Sequence, residues 1–135
     1  MPLPAVAPPD VVLWATGYFR AALAARPELY ADDVFVSDAV PSTRRARMVV
    51  IESDGGPKLD VVRIVQRLRF QVWAGSWQET TNLALLVYGL VVACPGGSTP
   101  VLAVTGVNGP FRVADPSGDP KSFLNAELLV RGSDL

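Results

Sequence analysis

The side chains able to do chemistry are unevenly distributed along this chain. Histidine is absent, which removes the commonest acid–base catalyst and the commonest metal ligand. The one cysteine, Cys94, ends a long apolar stretch with helical spacing. The negative end of a helix dipole disfavours a thiolate there, so a buried, inert thiol is expected. Asp32, Asp33 and Asp38 form an acidic patch without the spacing of a calcium loop. Glu52, Asp54 and Asp60 flank a turn that offers no pocket to shift a carboxylate pKa. Asp54-Gly55-Gly56-Pro57-Lys58 lacks the G-x-x-x-x-G-K-[ST] pattern and leads into a strand, so it is not read as a phosphate loop. No catalytic residue, cofactor or metal ligand is expected.

The basic residues carry more information. Of the 12 Lys and Arg residues, Arg44, Arg45, Arg47, Lys58, Arg63, Arg67 and Arg69 fall within one short stretch. Arg63, Arg67 and Arg69 alternate with apolar residues, which places them on one face of a strand. Three readings of that row stand open: a solvated face paired with carboxylates, a subunit interface, and a contact with a nucleic-acid backbone.

The composition narrows the choice. The chain has 135 residues, half of them apolar and 19% charged, with a formal net charge of -1. Its mean hydropathy is +0.29. This is too apolar for disorder and lacks the basic excess of a dedicated nucleic-acid binder. A lone cysteine excludes an internal disulfide and suits reducing surroundings. So little net charge on so apolar a chain predicts surface covered by other subunits. Met1-Pro2-Leu3-Pro4 has no positively charged start, so no signal peptide is expected. The apolar run over residues 83–94 is shorter than the ~20 residues a membrane span needs. It reads as a buried helix, with no membrane contact.

These residues must be positioned by a small set of elements. Residues 1–9, rich in proline, read as an extended arm, and residues 10–135 as a single domain. Asp10 is placed as the N-cap of a helix over 11–25. Val34-Phe35-Val36 is a short strand, 47–52 a second, and 59–73 a third that bends or breaks near Val65-Gln66. Ser76-Trp77-Gln78-Glu79 matches a reciprocal capping box and opens a helix over 77–93. Its core stripe is Leu83, Leu86, Val87 and Leu90. Trp73 and Trp77 are expected to wedge that helix against the sheet. Strands follow over 101–107 and 111–113, separated by an Asn108-Gly109-Pro110 turn, and then over 121–131. In that last strand Leu124, Ala126, Leu128 and Val130 face inward, with Asn125, Glu127 and Arg131 outward. The order α-β-β-β-α-β-β-β gives an α+β fold with two main helices packed on a mostly antiparallel sheet.

The order of these signals resembles the tail terminator proteins of long-tailed, non-contractile bacteriophages, especially those of actinobacterial hosts. The matching features are the Ala- and aromatic-rich first helix, Val34-Phe35-Val36, and Arg44-Arg45-Ala46-Arg47 leading into Met48-Val49-Val50-Ile51. They continue with the Gly55-Gly56-Pro57 turn, then Val72-Trp73-Ala74 before the second helix. Gly109-Pro110, Asp115-Pro116 and a last strand ending Leu128-Leu129-Val130-Arg131-Gly132 complete the series. The final strand departs from the family in lacking further aromatics. The resemblance implies a homohexameric ring in the virion, at the head-proximal end of the tail, assembled in the host cytoplasm. Such a ring caps the tail tube, stops its polymerisation and presents a surface to a head-side connector, while genomic DNA passes through the lumen without specific binding. On this view Arg63, Arg67, Arg69, Glu127 and Arg131 are expected at a subunit or partner interface. Arg44, Arg45, Arg47 and Lys58 are expected near the lumen or in loop contacts. Another connector of the head–tail junction, or a small α+β nucleic-acid-binding module, are the alternatives.

Overall fold

The computed structural model describes residues 5–134. Helix α1 spans Val11–Ala24 and α2 spans Trp77–Ala93. The strands are β1 (Val6–Ala7), β2 (Phe35–Ser37), β3 (Met48–Gly55), β4 (Arg63–Trp73), β5 (Val101–Val113), β6 (Lys121–Arg131) and β7 (Ser133–Asp134). The main sheet has the order β2-β3-β4-β6-β5 and is antiparallel except for the β2–β3 pair. The α+β class expected from the sequence is the observed one.

Strand β4 sits at the centre and its alternation organises the rest. Ile64, Leu68, Phe70 and Val72 point to one face and are all buried. Val49 and Ile51 of β3, and Leu124, Ala126, Leu128 and Val130 of β6, share that face. Both helices cover it. Helix α1 contributes Val11, Ala15, Phe19 and Leu23 over β2 and β3, and α2 contributes Leu83, Ala84, Val87 and Val91 over β5 and β6. Phe19 meets Phe70 edge-to-face at 5.2 Å between ring centroids, tying α1 to the sheet centre. The opposite face of the sheet carries no helix among the described residues. It holds a small second cluster, Met48, Val50 and Trp73, backed by Phe35.

Local chemistry sets the helix starts. Asp10 Oδ1 accepts from Leu13 N at 3.0 Å and caps α1. Ser76 Oγ accepts from Glu79 N at 3.1 Å and caps α2. Only this half of the expected capping box forms, because the Glu79 carboxylate accepts from Arg47 Nε at 2.6 Å instead. That bond joins the start of β3 to the first turn of α2.

Several further expectations need correction. The segments 101–107 and 111–113 are one strand, because Asn108↔Asn125 and Phe111↔Phe123 keep both halves on the same partner, β6. Asn108-Gly109-Pro110 is an irregularity within β5 rather than a turn; Gly109 has φ +102° and sits where a Cβ would meet the Phe123 carbonyl at 2.7 Å. The long strand begins at Arg63, since Asp60 Oδ1 accepts from Val62 N and Arg63 N at 3.0 and 2.8 Å and holds the preceding residues in a turn. It does not break at Val65-Gln66; the irregularity lies in its partner β3, between Ser53 and Gly55. Trp73 does not wedge α2, because the strand's alternation turns it to the helix-free face, while Trp77 stays 38% exposed. Of the expected arm, residues 1–4 lie outside the described residues, and Val6–Ala7 are not free but pair with Ser133–Asp134.

Removing the Phe70 ring should open a cavity under α1. Phe70→Ala is expected to lower the unfolding free energy by about 3–5 kcal/mol, read by urea titration at concentrations too low for self-association. Under the same conditions Leu85→Ala, at a site 53% exposed, should change it by less than about 0.5 kcal/mol.

Candidate functional site

Two surfaces stand out, and only the first carries residues singled out by the sequence. The first is the helix-free face of the sheet. The odd positions of β4 bring Arg63, Arg67 and Arg69 into one row, and register places Arg131 beside Arg63 and Glu127 beside Arg67. All five expected interface residues therefore lie on one face. Their charges are largely met within the chain. Arg63 Nε lies 2.7 Å from Asp60 Oδ2, and Arg67 Nε 3.1 Å from Glu127 Oε2. Arg69 Nε lies 2.9 Å from Asp54 Oδ1, and its Nη2 3.6 Å from Glu52 Oε2. The Nε–Asp54 contact is not aligned as a hydrogen bond, so it acts as charge against charge. These pairs are one-third to one-half exposed, so solvent screening keeps the contribution of each to stability small. Asp60 is held below the usual carboxylate range, first by its hydrogen bond from the Arg63 side chain and then by the backbone N–H groups of Arg63 and Val62. Arg131 makes no ion pair among the described residues. A shallow groove of about 510 Å³ lies over this face between Arg67, Arg69, Asn108, Phe123 and Glu127.

The expected lumen set does not come together. Arg44, Arg45 and Arg47 precede β3 at the Trp73 end of the sheet, whereas Lys58 follows β3 beyond the Gly55↔Arg67 pair at the other end. A one-dimensional cluster is split because β3 spans the sheet between its members. At the Trp73 end, Arg44 and Lys121 both lie over the Trp73 ring, at 5.2 and 4.9 Å from its centroid. Arg45 lies over Phe35 at 4.9 Å. Such cation–aromatic contacts let the charged heads roof an apolar cluster that no helix covers. Arg44 also pairs with Asp115 at 2.9 Å and with Asp119 at 3.6 Å. The Asp115 carboxyl is held low, chiefly by a hydrogen bond from the Ser117 hydroxyl, with Arg44 adding to it.

The second surface is the flank formed by α2 and the edge strand β5. Helix α2 carries a single charged residue, Glu79. Its outward side shows Leu85, Tyr88 and Val92, at 53%, 36% and 51% exposure. Val92 and Pro95 border an open, largely apolar groove of about 450 Å³ along Leu102, Val104 and Val107. Strand β5 has β6 on one side and no neighbour on the other among the described residues, and no charge from Val101 to Phe111. Long, uncharged edges of this kind are sites of association. This flank was missed in the sequence because the core stripe of α2 accounts for most of its apolar residues. The spacing of Leu85, Tyr88 and Val92, with charge lacking on every side, was the signal available.

Further observations concern the described residues. Among them, no group of three or more His, Cys, Asp or Glu side chains is placed to hold a metal ion. Cys94 is buried at the end of α2, and burial pushes its thiol up to about 11. Among the described residues, no helix is long and apolar enough to cross a membrane. No protein-family model matches the chain, and no curated protein matches it either.

Two outcomes follow from these contacts. A double-mutant cycle on Arg47→Ala and Glu79→Ala should give a coupling of about 1 kcal/mol in urea titration. For Cys94 the raised folded-state value, about 11 against an ordinary 9.0, means that the thiolate favours the unfolded chain. Stability should be unaffected by Cys94 below the ordinary value and fall as pH climbs through that interval. Cys94→Ala should remove this part of the alkaline decline, measured as urea midpoint against pH.

Proposed function

We propose that this chain is a structural virion protein of the tail terminator type, a ring that caps a tail tube and offers its other side to the head. The observation that carries the assembly is the apolar flank of α2 and β5, where Leu85, Tyr88, Val92 and Leu102 stand exposed on a chain with almost no net charge. A monomer leaves that surface in water. A neighbour covers it. The order of elements supports the terminator reading in particular. An Ala- and aromatic-rich helix, the Arg44–Arg47 segment entering β3, and Val72-Trp73-Ala74 directly before α2 are the features on which the resemblance rests.

The functional work of such a ring is mechanical and electrostatic rather than catalytic. Identical subunits related by rotation present unlike surfaces to each other, and a closed ring leaves two different ends for two partners. The arginine row suits a face that is close to neutral as a whole, because Asp60, Glu127, Glu52 and Asp54 offset it. A DNA passing such a face would meet little net attraction and would slide. The same pairing argues against a nucleic-acid-binding module, which needs unmatched cations.

Purified chain added to tail tubes of a long-tailed phage and imaged in negative stain provides the test. Rings seated at one end of the tube, with further tube growth halted, are expected. Rings that bind only isolated heads would reassign the chain to another connector of the junction, and a chain that binds neither would overturn the proposal.

A further inference from the structure

Val6–Ala7 of the proline-rich arm pair antiparallel with Ser133–Asp134 in a ribbon of their own, outside the main sheet. Both arm residues are half-buried. Pro8, Pro9 and the capping residue Asp10 join them to α1. The arm stands apart from the core: among the described residues, the buried cluster begins at Val11. Withdrawing the arm therefore leaves the layer between helices and sheet intact. A ribbon of two residues a side is marginal in water, so opening it costs little.

The place the arm occupies is shaped for it. Gly132 carries no side chain where a Cβ would lie 2.5 Å from Val6 Cγ1. Gly132 N donates to the Val62 carbonyl at 2.7 Å, which fixes this seat against the turn before β4. The seat also borders the apolar flank. It continues directly from β6, whose last residue, Arg131, donates its backbone N–H to the Pro100 carbonyl at 3.1 Å, one residue before β5 begins. A neighbour that covers the α2/β5 flank is thereby brought up to β7. The tether suits a crossing between copies. Pro8-Pro9 fixes φ at two consecutive positions and keeps a departing strand extended. The four chain steps from Ala7 to Val11 span at most about 14 Å.

We propose that, in the assembled protein, β1 of one copy pairs with β7 of the next, so that each subunit straps its neighbour with its arm. This rests on the ring reading and adds a second contact beside the α2/β5 flank. The exchange re-forms the β1–β7 contacts between copies and exposes no new surface. What it requires is reach: Val11 of the donor must lie within about 14 Å of the arm's place on the acceptor. Inside an assembly that place is offered at an effective concentration on the order of millimolar. Each copy gives one arm and accepts one. Such a contact runs in one sense around an axis, and a closed ring leaves no arm over.

Cross-linking tests this without tail tubes. Val6 and Asp134 are direct partners, and facing residues of an antiparallel pair lie within disulfide range. In a Cys94→Ala background, full chains carrying only Val6→Cys are mixed with full chains carrying only Asp134→Cys. The mixture is oxidised at a concentration where the parent assembles. A covalent dimer joining one chain of each kind is expected, and the chain with both substitutions should give a ladder of covalent multimers. An assembled double variant that yields only disulfides within single chains would overturn the exchange and leave ring formation to stand. Absence of any cross-link would overturn the β1–β7 pairing and the exchange with it. Gly132→Val fills the seat and should weaken self-association, read by sedimentation, by at least about tenfold. A Gly132→Val chain that associates like the parent would contradict the proposal. A parent chain that stays monomeric at every concentration would overturn the exchange too, and tube capping would still be decided by the imaging experiment.

Discussion

Strand β4 is flanked on both sides by long partners, and its strict alternation decides where every other group goes. One set of positions drives Ile64, Leu68, Phe70 and Val72 into the layer beneath the two helices. The other set must then place Arg63, Arg67 and Arg69 on the helix-free face. A slip of one residue would bury three guanidinium groups and expose four large apolar side chains, so the register is strongly specified. The carboxylates of β3, β6 and the intervening turn follow from that register. Glu52 and Glu127 arrive opposite Arg69 and Arg67 because the ladder puts them there.

One-sided covering of the sheet then determines the character of the surface. Two helices suffice for the inner face, and the outer face is kept in solution by paired charges and by cations laid over Trp73 and Phe35. That solution uses many of the chain's charged groups. Few are left for the α2/β5 flank, which stays apolar from Leu85 to Leu102 and beyond. Near-zero net charge is therefore the sum of a well-compensated sheet face, aspartates around α1 and β2 that make no ion pair among the described residues, and a few such cations elsewhere.

Much of the fold was legible because it rests on local rules. Asp10 and Ser76 cap helices where side-chain chemistry places them, and the inward set of β6 is the one that alternation specifies. The failures share a cause, which is competition from partners distant in sequence. Asn108-Gly109-Pro110 has the composition of a turn, yet pairing of Asn108 and Phe111 to β6 overrides it. Glu79 suits a capping box, yet Arg47 takes its carboxylate. Arg44–Arg47 and Lys58 are close in sequence and separated by the length of β3. The arginine row was readable as a row, but its matching by Asp54, Asp60 and Glu127 depends on turns and register that no single-strand pattern contains.

The central claim is that the flank of α2 and β5 is an internal surface of an assembly. Amide hydrogen exchange at residues 101–111 and along α2, measured at high and low protein concentration, tests it most directly. Exchange at these positions should be slow in the concentrated protein and speed up on dilution, while the helix-free face around Arg67 and Arg69 exchanges at one rate throughout. Identical exchange of the flank at both concentrations would contradict the account.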